Sequence, residues 1–61
     1  MIWQKQYINH RNEWHSGDYI VVEMIYSDSS EYFCYRKKNL LTTRLTPELA
    51  REFCENDAGK L

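Results

Sequence analysis

From Tyr19 to Tyr26 every position except Glu23 is apolar or aromatic, with no Gly or Pro, and turn residues stand on both sides: Ser16-Gly17-Asp18 before, Ser27-Asp28-Ser29-Ser30 after. A β-branched and aromatic run of this length, bounded in this way, predicts a strand inside a sheet. Glu31–Arg36 continues the pattern, and the four-residue connection between the two runs predicts a hairpin. Setting the register by that loop places Tyr26 opposite Glu31, Met24 opposite Phe33 and Val22 opposite Tyr35. The hairpin then has two faces. Ile20, Val22, Met24, Phe33 and Tyr35 form a wholly apolar one, expected to be the core beneath a helix. Tyr19, Val21, Glu23, Ile25, Tyr32, Cys34 and Arg36 form a mixed one, expected to stay partly uncovered.

The helix signal comes late in the chain. Thr46 is a good N-cap, Pro47 suits the first helical position because its missing N–H costs nothing there, and Glu48 lies near the positive end of the dipole. Leu49, Ala50, Phe53 and Cys54 share one apolar face, with Glu48, Arg51, Glu52 and Glu55 toward solvent. The helix is expected to end near Asn56, leaving 57–61 as a frayed tail. Upstream, Ile2–Ile8 reads as an edge strand and Glu13–His15 as a short strand or core anchor. Lys37-Lys38-Asn39 reads as a turn, and Leu40–Leu45 as a fourth strand or an extended lead-in to the helix. The expected fold is α+β: a single small domain over 1–61, an antiparallel meander of three or four strands packed by one C-terminal helix.

Sixty-one residues support one core only. Two Trp, five Tyr and two Phe make 15% of the chain aromatic, which supplies large core side chains to a domain of this size. Eight Lys plus Arg against nine Asp plus Glu leave no strong field toward nucleic acid or anionic membranes. No apolar run reaches the roughly 18 residues of a membrane span, and Met1–Gln6 lacks the apolar stretch of a secretory signal, so a cytoplasmic location is expected. Cys34 and Cys54 sit among apolar neighbours without CxxC spacing and read as buried free thiols; a sheet-to-helix disulfide is the alternative, against which a reducing compartment weighs.

Chemistry is thinly represented. His10, His15, Cys34 and Cys54 lack the paired, close spacing of a zinc site, and neither cysteine, set among apolar neighbours, shows the electropositive, partly open setting that activates a thiol. The carboxylates are scattered, and there is no Gly-rich phosphate loop. No cofactor, no metal and no catalysis are expected. One basic and aromatic grouping, Tyr32, Tyr35, Arg36, Lys37 and Lys38, could stack bases and follow phosphates, giving a nucleic-acid module as the alternative function.

The order of Trp14, Gly17-Asp18-Tyr19, the Tyr-rich strand and Thr46-Pro47-Glu48-Leu49-Ala50 resembles small sheet-plus-one-helix accessory proteins of phages and prophages. That resemblance implies a protein that docks on a macromolecule to inhibit or redirect it. The leading expectation is a protein-binding module or inhibitor acting by steric occlusion. Its expected contacts are Tyr19, Ile25, Tyr32 and Arg36 on the uncovered face, with Trp3 and Tyr7 on the edge strand. Homodimerisation through an edge strand and a structural role in an oligomer are further options.

Overall fold

A computed structural model describes residues 1–60 of the chain. Five strands, β1 (Gln4–Ile8), β2 (Arg11–Ser16), β3 (Tyr19–Ile25), β4 (Ser30–Arg36) and β5 (Asn39–Arg44), precede one helix, α1 (Pro47–Ala58). They form a single antiparallel sheet in sequence order, with β1 and β5 at its edges. The fold class is the expected one, with five strands in place of three or four. The Trp14 segment is a full strand pairing Trp14 with Val21, and Leu40 onward pairs with β4 before the helix begins.

The hairpin turns explain how so short a chain reverses four times. Asn9 and His10 (φ 53° and 65°) and Lys37 and Lys38 (φ 49° and 71°) make two-residue connections with both central residues left-handed. Such turns match the right-handed strand twist. Gly17 (φ 57°) supplies the left-handed position between β2 and β3. The β3–β4 loop is longer and closes with Tyr26 N–H donating to Ser29 O at 2.8 Å. Ser30 is thereby the first paired residue of β4, opposite Ile25. Relative to the register expected from the sequence, the strands are displaced by two residues: Val22 faces Phe33 and Met24 faces Glu31. A shift of two keeps every side chain on its expected face, because the side-chain period of a strand is also two.

The faces are sorted as expected, but the helix covers the other one. The buried set is Trp14, Tyr19, Val21, Tyr32 and Cys34 from the sheet and Ala50 and Cys54 from α1, with Trp3, Leu41, Phe53 and Ala58 packed against it. A bulge in the β4–β5 pairing between Cys34 and Tyr35 makes room for Leu41 as an extra residue on β5. In α1, Thr46 Oγ1 accepts from Leu49 N–H at 3.1 Å with Pro47 in the first turn, as its sequence signal indicates. The helix runs past Asn56 through Ala58, and Gly59 N–H donates to Glu55 O. Asp57 and Ala58 are thus helical rather than part of a tail; Leu61 of that expected tail lies outside the described residues.

Lys37 and Lys38 hold a backbone that side-chain-bearing residues other than Asn disfavour by about 1–2 kcal/mol each. The Lys37–Asp18 ion pair is long at 3.9 Å and largely exposed, so little is lost with it. Lys37→Asn combined with Lys38→Gly is expected to raise stability by about 1 kcal/mol, read as a Tm increase of roughly 4–8 °C in a thermal melt. Ala50→Leu, at a position with no exposed surface, is expected to lower stability by about 1–3 kcal/mol in denaturant titration, because the helix must lift to admit it.

Candidate functional site

The side chains at the centre of the sheet–helix seam are small. Val21, Cys34, Ala50 and Cys54 all have 0% exposure. Interiors close-pack, so a helix settles onto a sheet only where the facing side chains leave room for its backbone. Larger rings stand around this seam and send their polar tips to its margin. Tyr19 Oη donates to Asp57 at 2.7 Å, and Asp57 also accepts from Arg36 Nη1 at 3.0 Å. Tyr32 Oη donates to Glu23 at 2.8 Å, and Asn12 Nδ2 donates to the other Glu23 oxygen at 3.0 Å. Trp14 meets Tyr32 edge-on at 5.9 Å, between the Lys5 and Arg51 cations. Trp3 Nε1 donates to Glu55 at 3.0 Å, so the N-terminal segment closes the remaining flank.

The opposite face has no element of the described chain over it. Its middle row runs across all five strands as Gln6, Glu13, Val22, Phe33 and Thr43. A second row runs Gln4, His15, Ile20, Tyr35 and Leu40. Beyond the middle row Met24 faces Glu31 and receives Arg11 Nη1 on its sulfur at 3.6 Å. The face therefore has an apolar half on β3–β5 and a polar half on β1–β2. Glu13, buried by its neighbours, anchors the polar half: His15 Nε2 lies 2.9 Å from its Oε1 and Arg11 Nε 3.5 Å from its Oε2. Arg11 Nε is buried with no hydrogen bond of its own.

This layout corrects the sites expected from the sequence. Tyr19 and Tyr32 are buried under α1 and Arg36 is tied to Asp57, so these three do not lie on an uncovered face. Ile25 is exposed, at the far end of β3 on the covered side. On the β1 side Trp3 is tucked against the helix, while Tyr7 is exposed. The basic and aromatic grouping is divided: Tyr32 and Arg36 point to the covered side, Tyr35 to the open side, and Lys37 and Lys38 out of the hairpin turn. Ile20, Val22, Met24, Phe33 and Tyr35, the apolar set that the sequence assigns to the core beneath the helix, form the open face instead, joined there by Leu40. Size was the signal that could have placed it, since Val21 and Cys34 form the central opposed pair with two small side chains, matching Ala50 and Cys54, whereas Val22 opposes Phe33.

His10 is exposed in the β1–β2 turn, His15 belongs to the open face, and both cysteines are in the seam; among the described residues no three metal-ligating side chains come together. An open groove of about 130 Å³ lies between β5 and α1, lined by Arg44, Leu49, Glu52, Phe53 and Asn56. It is well below the roughly 300 Å³ at which small-molecule sites begin, and Arg44 is already stacked on Phe53 at 4.8 Å. In the seam, Cys34 Sγ donates to Ala50 O at 3.5 Å. The thiol of Cys54 is pushed up by hydrogen bonding to Cys34 and by burial, and that of Cys34 is drawn down by the same bond.

Burial, and then the hydrogen bond to Glu23, raise the Tyr32 pKa above 10.0; burial and the bond to Asp57 do the same for Tyr19. The folded state thus holds these protons more tightly than the unfolded chain does. Their contribution to stability is complete below the unfolded phenol value and drains away as pH rises through the folded one. Denaturant midpoints measured from about pH 8 to about pH 11 are expected to fall above about pH 10, and Tyr32→Phe is expected to flatten the fall. No protein-family model, curated protein or solved structure matches the chain.

Proposed function

We propose that the chain is a small non-catalytic protein-binding module whose contact surface is the open face of the sheet, working by occupying a partner's surface. The observation that supports it most is the apolar half of that face, Ile20, Met24, Phe33, Tyr35 and Leu40 around a buried Val22, which α1 leaves uncovered. Contiguous apolar surface rimmed by polar groups is the usual form of a protein contact site. Here the rim is the Arg11–Glu13–His15 stripe. Held by its own neighbours, Glu13 gives the rim fixed charges of both signs rather than the single-sign field that a polyanion requires. The rigid sheet presents these side chains with little ordering cost, which favours binding.

The test compares three proteins of equal fold: the parent chain, Tyr35→Ser with Leu40→Lys on the open face, and Leu49→Lys on the exposed part of α1. Circular dichroism and Tm establish that each is folded. Partners recovered by affinity capture and confirmed by titration with purified components are expected to bind the open-face variant at least about tenfold more weakly, and the Leu49→Lys variant like the parent. Equal binding by all three overturns the proposal.

A further inference from the structure

Cys34 and Cys54 are the chain's two cysteines, twenty residues apart in sequence and on opposite sides of the sheet–helix seam. Both are free and neither has exposed surface. Cys34 lies on β4 below the Ala50 carbonyl to which it donates at 3.5 Å. Cys54 follows Ala50 by one helical turn, on the same buried stripe. In the helix the Ala50 carbonyl also accepts from Cys54 N–H, and the Cys54 side chain leans back over the turn that Cys34 Sγ touches. Ordinary packing would be satisfied by any small apolar pair, whereas here two thiols are enclosed at the same turn of the seam that holds α1 on the sheet.

We propose that Cys34 and Cys54 form a disulfide-modification site, a cross-link that clamps α1 to the sheet under a low-molecular-weight disulfide oxidant such as oxidised glutathione. The Cys34 thiolate attacks the glutathione disulfide, releasing one glutathione thiol and leaving a mixed disulfide on Cys34. The Cys54 thiol, losing its proton, then attacks the Cys34 sulfur and releases the second glutathione. One S–S bond is broken and one formed; the protein loses two protons and two electrons, and the oxidant gains them. Because neither sulfur touches solvent, the first attack waits on transient lifting of α1, so the rate follows helix opening.

The experiment treats the folded, full-length chain with oxidised glutathione, counts thiols in guanidinium, digests with trypsin and records Tm with and without dithiothreitol. Expected are a fall from two free thiols to none in a monomer, and a linked pair of peptides spanning residues 12–36 and 52–60. A Tm rise of roughly 10 °C or more is also expected, reversed by the reductant, as for closure of a loop of about this length. Cys34→Ala and Cys54→Ala, each shown by circular dichroism to be folded, are expected to give no such rise. Retention of both thiols by the folded chain under conditions that cross-link it in guanidinium would overturn the proposal. So would cross-linking only between chains, or a linked chain with a lower Tm or lost native signal.

Discussion

The structure depends on one steric constraint: α1 can approach the sheet only along a seam of small side chains. Val21 and Cys34 on the sheet, with Ala50 and Cys54 on the helix, are buried completely. On the other side of the same two strands each central position pairs with a large ring, Val22 with Phe33 and Ile20 with Tyr35, which would hold a helix backbone away. The face covered is therefore the one whose small side chains lie at its centre, with the large rings at its margins. Closeness of approach sets how many dispersion contacts form.

Large aromatic residues complete the seam because they are amphipathic. Tyr19, Tyr32, Trp14 and Trp3 wall the small core with ring faces and take their polar atoms to its border, where Asp57, Glu23 and Glu55 accept hydrogen bonds. Those acceptors explain why a mixed strand face tolerates burial. Glu23 and Arg36 lie at the edge of the covered region, and each is satisfied, Glu23 by Tyr32 and Asn12 and Arg36 by Asp57. The helix is consequently fixed at its end as well as along its length. Asp57 is held by two partners from β3 and β4, which is why α1 extends beyond the boundary its own sequence suggests.

Covering one side with a single helix leaves the opposite side to its own side chains. There the apolar residues of β3–β5 shelter one another enough to bury Val22, while the β1–β2 half keeps Glu13 enclosed between Arg11 and His15. The proposed contact surface and the proposed cysteine clamp are thus two sides of one arrangement: the seam that holds the helix on one face leaves Ile20, Met24, Phe33 and Tyr35 on the other.

The sequence by itself determined the local structure. The turn residues, the β-branched run of β3, the alternation through β4 and the Thr46-Pro47 cap specified those two strands, their hairpin and the helix start, because each depends on backbone preferences and spacing within a few residues, while β2 and β5 stayed open between strand and connection. Even a register misplaced by two residues preserved the division into faces. Tertiary packing settled which face α1 would cover, that Tyr19 and Tyr32 would be enclosed with Arg36 paired to Asp57 at the margin, and that Trp3 would reach Glu55, 52 residues away. Alternation reports that two faces differ but not how closely a helix can approach either; that follows from side-chain volumes brought together from β3, β4 and α1, and no local pattern contains it.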